Sequence, residues 1–133
     1  MNMKYRRSAR ERAVQFLYGL EFTGNDWREA LPLYWQSSPA RPNVKEYAEA
    51  LIAGYFKHSA DLDAEIDGAL ENWAADRVGK IERGVLRVAL YEMRHGDVPR
   101  AVAINEAIEV ARRYGSDESP GFVNGVLDRI GKD

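Results

Sequence analysis

The stretch KIERGVLRVALYEMR, running from Lys80 to Arg94, decides the fold class of this chain. On a helical wheel Val88, Ile81, Val85, Ala89, Met93, Leu86 and Leu90 cover one wide apolar arc. Arg83, Arg94, Arg87 and Lys80 gather on the opposite face, with Tyr91 at its edge. This is the period of a helix that buries one side. Gly96 closes it, and Pro99 stands where helices tolerate proline, at the start of the next one.

The same signals recur in both directions from this segment. Downstream, a helix runs from Pro99 to Tyr114-Gly115, and Ser119-Pro120 opens the last one, with Val123, Val126, Leu127 and Ile130 inside. Upstream, Asp61 caps a helix whose stripe is Leu62, Ile66, Leu70 and Trp73. Asn43 with Glu46 opens another that ends near His58. Ser37 to Pro42 (SSPARP) is the clearest loop. Trp27, Ala30, Leu31 and Tyr34 keep helical spacing but are interrupted by Pro32, which predicts a short or bent helix starting near Leu31. Ser8 with Glu11 reads as a capping box opening the first helix. That helix carries Phe16, Ala9, Leu20, Ala13 and Leu17 on one face and ends at Thr23-Gly24-Asn25. About seven helices with short loops make an all-α bundle. A length of 133 residues fits a single domain, 1–133, with helical subdomains of roughly 1–59 and 60–133.

Composition narrows the function class. An apolar fraction of 45% and a charged fraction of 30% are those of an ordinary globular protein. No apolar run reaches the ~18 residues of a membrane span, and the N-terminus has no secretory apolar core, so a cytoplasmic protein is expected. With no cysteine there is no disulfide, thiolate nucleophile or sulfur-based zinc site. His58 and His95 lie near helix ends and far apart in sequence, and no phosphate loop, metalloprotease pair or nucleophile elbow is present. The expectation is no enzyme, no catalytic residue, no metal and no cofactor.

Charge is distributed unevenly. Lys4, Arg6, Arg7, Arg10 and Arg12 stand against Glu11 alone, so this block carries +4 in a chain of net charge -2. Such a local cluster suits sequence-independent phosphate contact; a frayed basic terminus has the same composition. The cationic stripe of the Lys80–Arg94 helix suits an RNA backbone with a base stacked on Tyr91, or else pairs with acids of neighbouring helices. Glu82 and Glu92 fall within its apolar arc. Glu92 fits a structural acceptor of backbone N–H groups from a neighbouring helix. Glu82, in the first turn, suits the helix dipole or a partner. Tyr18 and Phe22, one turn apart and facing away from the core stripe, fit either a partner anchor or packing under another helix. Phe122 fits a stacking platform or a core edge.

Three stretches taken together carry a resemblance. They are RSARERAVQFLY (Arg7–Tyr18), ERGVLRVALYE (Glu82–Glu92), and VPRAVAINEAIEVARRYG (Val98–Gly115) continuing through SPGFVNGVL (Ser119–Leu127). In this order and spacing the chain resembles the NusB family of bacterial transcription antitermination factors, with the middle, about Asn25 to Gly79, similar only in pattern. The resemblance implies an all-helical fold and no catalysis. It implies binding of the boxA segment of ribosomal leader RNA as a heterodimer with NusE, a small-subunit ribosomal protein, within an RNA polymerase antitermination complex. The RNA-binding positions it implies are Arg6, Arg7, Arg10, Arg87, Arg113 and Phe122, and Lys4 belongs to the same basic block. For the NusE surface it implies Tyr18, Glu82, Asp117 and Glu118, and Phe22 extends the Tyr18 face. Ser8 interrupts the arginine run common in the family, Pro32 and the Pro39/Pro42 loop are unusual, and no basic tail follows the last helix. Two other readings compete: a homodimeric scaffold burying Tyr18 and Phe22 against a second copy, and a relative of the RNA-binding domains fused to ribosomal RNA methyltransferases. A length of 133 residues leaves no room for the latter's catalytic domain.

Overall fold

In the computed structural model, which describes residues 4–70 and 78–130, the chain forms seven α-helices and no strand among those residues. They are α1 (Lys4–Thr23), α2 (Trp27–Ser37), α3 (Pro42–Lys57), α4 (Ser59–Ala69), α5 (Lys80–His95), α6 (Arg100–Tyr114) and α7 (Ser119–Ile130). The all-helical expectation holds. The segment that decided it, α5, is the centre of the molecule and packs against α1, α3, α4, α6 and α7. Leu86 and Leu90 of α5 are fully buried, together with Leu51 and Ile52 of α3 and Leu127 of α7. Gly54 lets α3 approach α5, because a Cβ there would overlap the Tyr91 ring.

Several helix starts differ from the sequence reading. Helix α1 begins at Lys4, so Ser8 lies in its second turn, exposed, and caps nothing. Arginine is a good helix former, and Arg6 and Arg7 find carboxylates elsewhere in the fold, which extends the helix past the local cap signal. Helix α2 begins at Trp27 rather than near Leu31, and Pro32 lies inside it. Asp26 caps it by accepting from the Arg28 N–H at 2.9 Å, while Leu31 and Trp35 anchor its buried side. Helix α3 starts with Pro42 in its first turn, which places Asn43 inside the helix instead of at its cap. Helix α4 starts at Ser59, two residues before Asp61, and Trp73 lies outside the described residues. The ends set by local chemistry fall where expected: Gly24 takes φ +67 after α1, and Gly96 and Gly115 close α5 and α6.

Candidate nucleic-acid interface

The basic arm is the N-terminal two turns of α1, laid against α6 and the α5–α6 turn. Each arginine there has a different fate. Arg6 places its guanidinium 4.5 Å from the centre of the Tyr47 ring and donates to both carboxylate oxygens of Asp97, at 3.2 and 3.4 Å. Arg7 grips Glu106 through Nε and Nη2, at 3.0 and 2.7 Å, and stays about half exposed, at 54%. Lys4, at the helix start, is exposed. Neither Arg6 nor Arg7 precedes the helix as an unconstrained tail.

Arg10 is a correction. Its side chain is buried, with Nε and Nη2 on the two oxygens of Glu92 at 2.8 and 3.0 Å and Nη1 on Glu106 at 3.3 Å. The Tyr47 hydroxyl also donates to Glu92. Burial opposes the charge on Arg10, but its bonds to Glu92 and the nearby Glu106 hold the guanidinium protonated. A cation sealed inside this cluster offers no donor to an RNA phosphate. Glu92 accepts from a side-chain cluster rather than from backbone N–H groups of a neighbouring helix.

Arg113 belongs to the arm's edge. It is 67% exposed and donates at 3.1 Å to Glu11, one turn along α1 from Arg7. The Ser116 N–H donates to Ser119 Oγ at 2.9 Å, fixing the α6–α7 turn that sets Phe122 one turn into α7. Phe122 is half-buried against the core.

Arg87 lies apart from the arm. It bonds Glu21 at 2.9 Å and Asp63 at 3.2 Å and lies over the Tyr55 ring. Glu21 is fourteen residues beyond Arg7, roughly 20 Å further along α1. The rest of the α5 stripe behaves alike: Arg83 pairs with Asp67 at 3.5 Å and Arg94 with Glu65 at 2.8 Å. The acids of α4 neutralise this face. Tyr91 lies beside His95, whose ring stacks on His58 with centroids 3.7 Å apart.

A second surface occupies the other end of α1. Tyr18 and Phe22 meet edge to face at 4.9 Å, and Phe22 is 62% exposed with the Lys80 ammonium over its ring. Asp117 and Glu118 are exposed in the α6–α7 turn. Glu82 differs from the reading as a partner residue. One of its oxygens accepts from the Gly79 N–H and the other from the Ser119 hydroxyl, both at 2.8 Å, so the carboxylate is spent on capping α5 and tying it to α7.

Sequence reasoning missed Tyr47, Asp97 and Glu106. The acidic surplus of the rest of the chain was the trace of Asp97 and Glu106, and Tyr47 left none. Contact with Arg6 and Arg7 pulls the carboxyls of Asp97 and Glu106 below the usual range, chiefly through the hydrogen bonds those arginines donate.

An all-helical fold with a guanidinium-lined edge and a separate exposed aromatic pair defines a small binding protein. Residues 7–132 match the NusB family, and the chain belongs to it. It is 45% identical over 131 residues to the transcription antitermination protein NusB of Anaeromyxobacter sp. (strain Fw109-5), covering 98% of this chain and 91% of that protein. Identity to the Geobacter sulfurreducens NusB is 38%, over 96% of this chain and 94% of that one. Among solved structures, T. maritima NusB superposes with a TM-score of 0.83 at 37% identity, covering 96% and 91% of the two chains. A chain from the complex of antitermination factors NusB and NusE with double-stranded RNA superposes with a TM-score of 0.86 at 26% identity, covering 97% of each.

Proposed function

We infer that this protein is a cytoplasmic transcription antitermination factor that binds single-stranded boxA RNA of ribosomal operon leaders together with NusE, supporting transcription by RNA polymerase. The observation that carries the reading is the edge formed by Lys4, Arg6, Arg7 and Arg113, cationic in a chain of net charge -2. Family membership and the antitermination names of its relatives support it. Phosphate contact by these side chains gives affinity and register; sequence choice in a single strand needs stacking and base-edge contacts, for which Phe122, half-buried at the α7 start, is the candidate platform. Tyr18 and Phe22, with Asp117 and Glu118, form the NusE surface in this reading. The exposure of Phe22 also suits a homodimer, which makes oligomeric state a second readout.

The test is a titration of boxA RNA at several salt concentrations, with and without NusE. The double variant Arg6→Ala/Arg7→Ala is expected to bind more weakly, with the slope of log K against log salt shallower by between one and two. An unchanged slope would place the phosphate site elsewhere.

A further inference from the structure

We propose that Asp97 and Glu106 are a built-in carboxylate mask on the RNA-binding arm, standing in for RNA phosphates and setting the affinity of the site by competing with them. The proposal rests on the reading of the arm as the phosphate site. A guanidinium meets a carboxylate and a phosphate with the same pair of parallel N–H donors. Arg7 already commits Nε and Nη2 to Glu106, and Arg6 commits both terminal nitrogens to Asp97. A phosphate that takes this same pair of parallel donors has to displace the acid, whereas one meeting the outer N–H groups of the guanidinium has the carboxylate as an immediate neighbour.

The two pairs are placed so that replacement is feasible. Asp97 is 74% and Arg7 54% exposed, while their partners Arg6 and Glu106 are 17% and 16% exposed, so water reaches each pair from one side, and pairs open to solvent are individually weaker than sealed ones. The contrast with Arg10 on the same helix is sharp. Its partner Glu92 is 1% exposed, and that bond has no route of exchange with solvent. The mask also belongs to different elements from the arm: Asp97 sits in the α5–α6 turn and Glu106 on α6, while the arginines sit on α1. Released carboxylates remain beside the bound strand and repel it. Both effects favour dissociation, and both fade as salt screens the exposed charges.

The experiment measures binding of a short single-stranded boxA RNA at low and high salt to the wild type, Asp97→Asn, Glu106→Gln, and Asp97→Asn in an Arg6→Ala background. Glu109→Gln, which neutralises a neighbouring acid on α6 paired with Arg112, serves as the control for general charge removal. Because Glu106 also accepts from Arg10 Nη1 at 3.3 Å, urea unfolding of each variant checks that the fold and the Arg10–Glu92 pair survive the change. Asp97→Asn and Glu106→Gln are expected to bind about two- to fivefold tighter at low salt, more than Glu109→Gln, with the gain shrinking at high salt. The Asp97→Asn gain is expected to vanish once Arg6 is alanine. The mask is overturned if that gain persists without Arg6, or if neither variant exceeds the Glu109→Gln control while Arg6→Ala/Arg7→Ala still loses affinity. If Arg6→Ala/Arg7→Ala binds as the wild type does, the arm is not the phosphate site, and the underlying reading falls first.

Discussion

Arg10 and Arg7 are three positions apart in one basic block, and the fold uses them for opposite purposes. Breaking a buried ion pair leaves an uncompensated charge and costs about 3–5 kcal/mol, whereas an exposed pair contributes about 0–1 kcal/mol. Arg10→Ala is therefore expected to lower unfolding stability by about 3 kcal/mol or more, a large share of the ~5–15 kcal/mol that holds a domain together. Arg7→Ala should cost under about 1 kcal/mol. Matching urea midpoints for the two variants would show that the Arg10–Glu92 pair is not structural. The difference was partly legible in the sequence. The apolar face read from Phe16, Ala9, Leu20, Ala13 and Leu17 widens once Val14 is included, and Arg10 then falls between Leu17 and Val14 on the wheel. What could not be read was the partner. Glu92 is 82 positions away, and only the packing of α1 on α5 brings the two together.

At the scale of elements, boundaries set by local chemistry were legible and those set by tertiary contact were not. Glycines and a proline mark the ends of α5 and α6, and the amide, hydroxyl or ring that stops the helix lies within a few residues. The start of α1 depends on carboxylates about ninety residues away, so a capping-box pattern at Ser8 and Glu11 was overruled. Helix α2 is the instructive failure. Pro32 lacks the N–H that would bond the Arg28 carbonyl, and a proline inside a helix costs about 3 kcal/mol. The helix persists because Asp26 caps it and Trp35 is buried with its indole N–H on Glu49 at 2.9 Å. Pro32 itself is exposed. Replacing it restores a hydrogen bond but returns freedom to the unfolded chain worth up to about 1 kcal/mol. Pro32→Ala is expected to stabilise the protein by about 2 kcal/mol net, read as a higher thermal midpoint with more helical signal. A lower midpoint would mean that the ring contributes packing greater than the bond it removes.

For the whole molecule, α1 is a ruler with a different chemistry at each end. Its first turns carry the guanidinium groups of Arg6 and Arg7, and its last turns carry Tyr18 and Phe22, eleven and fifteen residues beyond Arg7 and roughly 16 and 22 Å along the helix. An edge that works through charge is salt-sensitive, while an aromatic patch works through desolvation and is far less so. The two surfaces should therefore be separable by mutation. Phe22→Asp puts a charge where a partner would bury a ring, and Phe22 is too exposed for the change to disturb the core. It is expected to abolish NusE binding, by about a hundredfold or more if Phe22 is a hot spot of about 3 kcal/mol, while leaving RNA affinity of the isolated protein within about twofold. Arg7→Ala is expected to do the reverse. Any enhancement of RNA binding by NusE must equal the enhancement of NusE binding by RNA, because coupling is reciprocal, and Phe22→Asp should remove both together. Calorimetry of the two binary and two ternary steps checks this. If Phe22→Asp weakens RNA binding when no NusE is present, the aromatic end of α1 is itself part of the RNA site and the division of this helix into two surfaces is wrong. If it leaves NusE binding intact but converts a dimer into a monomer on sedimentation, the aromatic pair serves a second copy of the chain instead.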